Sequence, residues 1–278
     1  MKIQIKPILY KIEKSVKCFR KDRNSFGLSY KLWHKKNRDM FKKLKKFKSI
    51  HKGESCFIVG TGPSLKLEDI EKIKHTNAKC FGVNTLYKIY ENTSWRADYY
   101  CIIDPTTYSA IRDGVKKYHT NSLFIAGNRI FEENIDINRF ALNCSSFYRL
   151  AYKEYFGATE FSTDLCNEIY DGASVVYAAL QIAVYMGFKD IYLLGVDCNY
   201  EKNSILHSKT LAYGKDYKYN WTKQTGLTMI ECFKVAKEYA DKNNVHIYNA
   251  AAGGMLEVFP RVGLDDAIRR INDYKRFS

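Results

Sequence analysis

At the end of the first strongly apolar stretch the sequence reads Gly60-Thr61-Gly62-Pro63-Ser64-Leu65. Two glycines after a strand let the backbone approach a phosphate closely. N–H groups at a following helix start favour an anion, and the Ser64 hydroxyl adds a donor. The stretch is neither a P-loop, since no Gly-Lys-Ser/Thr follows, nor a complete G-x-G-x-x-G, since Leu65 stands at the third glycine position. Three later apolar runs also end in a polar side chain: Asn84 after Phe81-Gly82-Val83, Asp104-Pro105 after Ile102-Ile103, and Asp197 after Leu194-Gly195-Val196. In an open α/β sheet ligands bind beyond the carboxyl ends of the strands, so these groups are expected to share one crevice with the glycine loop. Each has a plainer role open to it as a helix cap or turn residue.

Asp171-Gly172-Ala173-Ser174 precedes a long apolar run and supplies a second cluster of donors, with Gly172 and Ser174 expected to contact a nucleotide or simply to cap the helix. His207, in a polar stretch, has the intrinsic pKa of a general base for an acceptor hydroxyl, and is equally a surface histidine. Tyr200, Tyr213, Tyr217 and Tyr219 fall in or beside the same stretch, residues 198 to 223, which reads as a lid or binding loop. Their hydroxyls could donate to a departing phosphate without a metal. Arg261 is open to pairing with a phosphate or with a surface carboxylate.

The elements that must position these residues are short β-rich runs alternating with helical stretches. Residues 55–59, 78–83, 99–103, 122–126, 191–196 and 245–248 read as strands, and their near-continuous hydrophobicity indicates burial on both faces of a mainly parallel sheet. Helices are expected near 67–74, 106–118, 173–187 and 225–243. The alternation defines an α/β fold with a doubly wound sheet. Ala173 to Phe188 is too short and too interrupted to span a bilayer, and reads as a buried core helix.

Charge is distributed unevenly. Residues 1–52 hold 18 of the 45 Lys+Arg and 3 of the 30 Asp+Glu, leaving 27 of each sign in the remainder. We therefore divide the chain into a basic helical arm, 1–52, and a nucleotide-binding domain, 53–278. The neutral domain gives no reason to expect nucleic-acid binding. The arm, with Phe19, Leu32, Trp33, Phe41, Leu44 and Phe47 among its bases, suits an anionic membrane surface or packing on the body or a second subunit, as in a homo-oligomer. Eight dispersed cysteines without a C-x-x-C pair read as reduced, buried side chains, and no residues are assigned to a metal. No secretory h-region is visible near the start, which points to a cytoplasmic location.

Residues 58–65, Asn84, Asp104-Pro105, the run from Ala183 to Asp197, and His207-Ser208-Lys209 resemble the bacterial lipooligosaccharide sialyltransferases. They resemble equally the wider superfamily of 6-hydroxymethylpterin diphosphokinase-like proteins and the central domain of flagellin glycosylation factors. The likeness covers about residues 53–262, and the closing 248–250 and 256–261 stretches look nearer to the diphosphokinase-like branch. The sialyltransferase likeness implies a variant GT-A-like fold and transfer from a CMP-sugar to an acceptor hydroxyl of a surface glycan or glycolipid, with no cofactor. Gly60, Thr61, Gly62, Ser64, Asn84, Asp104, Gly172, Ser174 and Asp197 would then line the nucleotide, His207 would be the base and Tyr200 a phosphate donor. The other branch implies ATP, a pterin-like alcohol and Mg²⁺ held by Asp104 and Asp197. A nucleotide-sugar-binding subunit without catalysis is the third expectation.

Overall fold

The computed structural model describes residues 38–118, 122–126, 139–142, 144–145, 159–167, 169–200 and 223–277. Seven strands form one sheet: β1 (Ser55–Val59), β2 (Lys79–Val83), β3 (Tyr99–Ile102), β4 (Ser122–Ala126) and β5 (Arg139–Leu142), then β8 (Asp190–Leu194) and β9 (His246–Asn249). Between them β6 (Cys144–Ser145) and β7 (Ile169–Tyr170) make a separate two-residue parallel pair. The sheet order is β5-β4-β3-β2-β1-β8-β9 and every neighbouring pair is parallel. Parallel strands need helical crossovers, which cover the faces, and this accounts for the apolar runs: all four residues of β3 and the last four of β1, β2 and β8 are buried.

The helices are α1 (Arg38–Lys45), α2 (Leu67–Lys74), α3 (Pro105–Lys117), α4 (Val175–Tyr185), α5 (Lys223–Lys242) and α6 (Leu264–Phe277), with a 3-10 helix at Asn84–Glu91. Their ends follow local chemistry. α2 has Glu68 and Asp69 in its first turn and Lys72 and Lys74 in its last, each matching the helix dipole. α3 begins with Asp104 as cap and Pro105 as its first residue, where a missing N–H is harmless. α4 is apolar nearly all round and ten of its eleven residues are buried, the condition of a core helix, against β1, β2, β3 and α5.

The chain divides into two compact units, Met1–Lys43 and Leu44–Ser278. The second unit thus begins at Leu44, not at residue 53, because residues 44–53 are built into it. Leu44 is fully buried. Ser49, His51 and Gly53 donate their N–H groups to the carbonyls of Tyr185, Met186 and Gly187 at 3.0, 2.8 and 3.0 Å. The His51 ring stacks on Phe188 at 4.5 Å and meets the Tyr99 hydroxyl at 2.7 Å.

Candidate functional site

The strand order reverses between β1 and β8: successive strands from β1 to β5 step to one side, and β8 and β9 lie on the other. The loops leaving β1 and β8 therefore diverge at the carboxyl edge and open the crevice where α/β sheets bind ligands. The Gly60–Ser64 loop leaves β1 there, and Gly195–Asp197 leaves β8.

The two loops are fastened to each other. Gly60 N–H donates to Leu194 C=O at 2.7 Å and Gly62 N–H to Gly195 C=O at 2.8 Å. A Cβ on Gly60 would stand 2.4 Å from the Gly195 oxygen, and one on Gly62 would stand 2.7 Å from Asp197 Oδ2. The glycines are thus required for the approach of the loop to β8. Ser64 donates its N–H to Asp197 Oδ2 at 2.8 Å and its hydroxyl to Oδ1. The sequence placed a phosphate against these donors; here the two donors of Ser64 are taken by the protein's own carboxylate at Asp197, a residue 6% exposed. The next residue, Cys198, has its thiol pushed up to about 12 by burial and, secondarily, by Asp197, so it is no nucleophile.

A third loop, after β9, closes on the first two. Met255 N–H donates to Asp197 C=O at 2.6 Å. Gly254, at φ +89°, lies so near that a Cβ would fall 2.5 Å from Asp197 Cα, and a Cβ on Gly253 would come 3.9 Å from Ser64 Cβ. Asn249, fully buried, shapes the start of this loop by donating to Leu256 C=O at 2.8 Å and accepting from Ala251 N–H at 3.0 Å. Arg261 binds Glu257 and the carbonyls of Ala251, Gly253 and Gly254, so it is engaged with the protein and not held out for a phosphate. In the sequence the stretch from Asn249 to Gly254 after the last strand stands out for leading to Arg261, and the Gly253-Gly254 pair, which begins four residues past β9, is the signal that it packs as a third wall.

Asn84 follows β2, one strand from the glycine loop, or ~4.8 Å in sheet spacing. Its backbone is left-handed at φ +47°, and the Tyr100 hydroxyl holds it by donating to its carbonyl at 2.8 Å. Asn84 Oδ1 is buried without a hydrogen-bond partner. Among the described residues it shares that state with Thr85 Oγ1 and Thr159 Oγ1, and an unmet buried acceptor costs about 1–3 kcal/mol.

Asp104 and Ser174 lie at the starts of α3 and α4 and act as caps. Asp104 Oδ1 accepts from Thr107 N–H at 2.7 Å, and Ser174 Oγ from Val176 N–H at 3.2 Å. Helices that connect parallel strands begin at the strands' carboxyl edge, so both caps share the edge that carries the crevice. Gly172, at φ +49°, has the Tyr177 ring where a Cβ would be, and the buried Asp171 accepts from Ala173 N–H at 3.3 Å. Tyr200 donates its hydroxyl to Met229 Sδ at 3.5 Å, against α5. Thr61 sits between the two loop glycines. His207, Tyr213, Tyr217 and Tyr219 lie outside the described residues.

Residues 33–203 match the model of the 6-hydroxymethylpterin diphosphokinase MptE-like family. The chain belongs to this family. The matched stretch carries β1 to β8, the glycine loop, Asn84, Asp104, Ser174 and Asp197, while Gly254 and Arg261 of this MptE-like protein lie beyond it. Among solved structures it is similar to a Maf glycosyltransferase from Magnetospirillum magneticum AMB-1, at 15% identity and TM-score 0.49, over 86% of this chain and 41% of that one. It is also similar to the sialyltransferase CstII from Campylobacter jejuni, in complex with a substrate analogue, cytidine-5'-monophosphate, at 16% identity and TM-score 0.47, over 76% of this chain and 86% of that one. The chain thus spans about two-fifths of the length of the Maf protein. No curated protein matches the sequence.

Proposed function

We propose that this MptE-like chain is a glycosyltransferase that takes a nucleotide-sugar, of the CMP-sugar class, and transfers the sugar to an acceptor hydroxyl in surface-glycan assembly. The observation that carries the nucleotide reading is the unpartnered Asn84 Oδ1 beside the strand-order reversal, where a ribose hydroxyl or base amino group would supply the missing donor. Because the donors of the glycine loop are committed to β8 and Asp197, that loop would serve as a rigid wall. The nucleotide phosphate falls to the start of α4, where Gly172 and Ser174 stand at the positive end of an eleven-residue helix.

In the proposed reaction the anomeric C–O bond to the phosphate breaks, the electron pair leaves with the nucleotide, and the acceptor oxygen bonds to the anomeric carbon. His207 takes the acceptor proton. Tyr200, moving off Met229, would donate to the departing phosphate. The residue roles rest on the resemblance, and the CMP preference rests on it alone.

The family's description, 6-hydroxymethylpterin diphosphokinase MptE-like, favours a second reading: a diphosphokinase, which would take ATP, a pterin-like alcohol and Mg²⁺. Asp197, whose two oxygens both accept from Ser64, and Asp104, which caps α3, would have to hold the metal. They do not present a free carboxylate pair. Thermal shifts with CMP, CDP, UDP, GDP and ATP, each with and without Mg²⁺, test both readings, since a ligand of the native state raises its stability. Stabilisation by CMP or CDP regardless of metal is expected. A shift with ATP and Mg²⁺ alone would replace the transferase by the diphosphokinase, and tight nucleotide binding without sugar transfer or donor hydrolysis would favour a non-catalytic subunit.

The basic N-terminal segment would hold the enzyme at an anionic leaflet close to a lipid-linked acceptor. Among the described residues no helix is long and apolar enough to cross a membrane. Full-length protein should co-sediment with phosphatidylglycerol vesicles and a variant lacking residues 1–43 should not; equal sedimentation of the two would remove the membrane role.

A further inference from the structure

We infer that Arg261 is a positioning residue for the crevice, setting the wall on which Asp197 and Ser64 depend. This rests on the nucleotide reading above for its functional consequence, though not for its structural one.

The argument follows a chain of contacts. The Arg261 backbone is fixed beside the end of β9: Asn249 donates to Pro260 C=O at 2.9 Å and Val262 donates to Asn249 C=O at 3.0 Å. From this base the guanidinium reaches back across the loop. Nη1 donates to Ala251 C=O at 3.1 Å and Gly253 C=O at 3.2 Å, Nη2 donates to Gly254 C=O at 3.2 Å, and Nε donates to Glu257 at 2.8 Å. A planar fork of five donors can gather several carbonyls at once, which a lysine ammonium on a flexible stem cannot do in the same geometry. The gathered loop presents Gly254 and Met255 to the backbone of Asp197, at distances that admit no side chain at 254. Asp197 in turn holds Ser64 by two hydrogen bonds.

Charge runs along the same path. Asp197 is buried, its carboxylate is hydrogen-bonded by Ser64, and among the described residues no cation lies within ion-pair distance of it. Arg261 is held more firmly protonated by Glu257 first and, in smaller part, by Asp197.

The test uses full-length Arg261→Ala and Arg261→Lys with two readouts. Hydrogen exchange of the unliganded protein should quicken in both variants at residues 250–257. It should also quicken, by about fivefold or more, at residues 60–66, which Arg261 does not touch. Nucleotide affinity, measured by calorimetry with whichever nucleotide stabilises the wild type, should fall by about tenfold or more in Arg261→Ala, with Arg261→Lys intermediate. A merely structural arginine would lower the melting temperature while leaving affinity and the 60–66 exchange at wild-type values, and that result overturns the inference. If the wild type binds no nucleotide, the proposed function fails while the exchange readout still decides the role of Arg261. Should Arg261→Ala not fold, Arg261→Lys carries both readouts.

Discussion

Gln181 sits fully buried in the middle of α4, and all its hydrogen-bonding groups have partners. Its Oε1 accepts from Ser162 N–H and Tyr170 N–H, both at 3.0 Å, and its Nε2 donates to Tyr170 C=O at 2.7 Å and Tyr177 C=O at 3.1 Å. One side chain thereby ties β7 and the irregular segment at Ser162 to the core helix. Gln181→Leu keeps the volume and strands backbone groups of Ser162 and Tyr170, so chemical denaturation should report a loss of about 3 kcal/mol. His207 bears on rate instead of stability: His207→Ala should lower turnover by about 100-fold with nucleotide affinity kept, and unchanged turnover would remove it from the mechanism. At this scale the sequence was legible by residue type and illegible by partner. Gly60 and Gly62 do mark a close backbone approach, but the atoms approached belong to Gly195 and Asp197, more than 130 residues later. Spacing along a chain cannot tell a phosphate from a distant carboxylate when both satisfy the same donors.

Elements were legible in proportion to their apolar signal. β1, β2, β3 and β8 stand out because burial on both faces demands uninterrupted hydrophobicity, β4 and β9 through their apolar runs, and α4 because it is buried all round. β5 escaped because Arg-Phe-Ala-Leu is short and opens on a charge, and the two-residue strands β6 and β7 have no period to detect. The 3-10 helix at Asn84–Glu91 was lost to its tighter repeat. α6 could have been found from Asp265 and Asp266 in its first turn with Ala267 and Ile271 buried four residues apart. The loop after β9 offers a paired test of element geometry. Gly254→Ala, strained at φ +89° and clashing with Asp197, should destabilise by more than about 1 kcal/mol. Gly253→Ala, whose Cβ meets nothing nearer than 3.9 Å, should fold with wild-type stability. Equal thermal midpoints for the two variants would contradict the packing described for that loop.

Across the whole molecule, burial governs the response to alkali. Cys80, Cys198 and Cys232 are each pushed up to about 12 from 9.0, chiefly by burial, and Cys56 and Cys101 are raised as well. In the unfolded chain these thiols ionise near 9.0, so the unfolded state gives up protons first. Their contribution is full below pH 9 and is lost as pH rises from there through about 12. Denaturation midpoints should therefore hold between pH 7 and 8.5 and fall steadily above 9, and native protein at pH 8 should resist alkylation at these positions; rapid modification of the folded form would contradict the burial. The parallel doubly wound class was readable from strand–helix alternation, whereas the strand order was not, because nothing local records that the chain returns to β1 after building four strands away from it. That return sets a timetable for synthesis on the ribosome. Until residues 190–194 emerge, β1 has a partner on one side only, and its apolar Cys-Phe-Ile-Val run is an open edge inviting other nascent chains. A transcript truncated anywhere between β5 and β8 would thus yield an adhesive fragment instead of a half-sized domain.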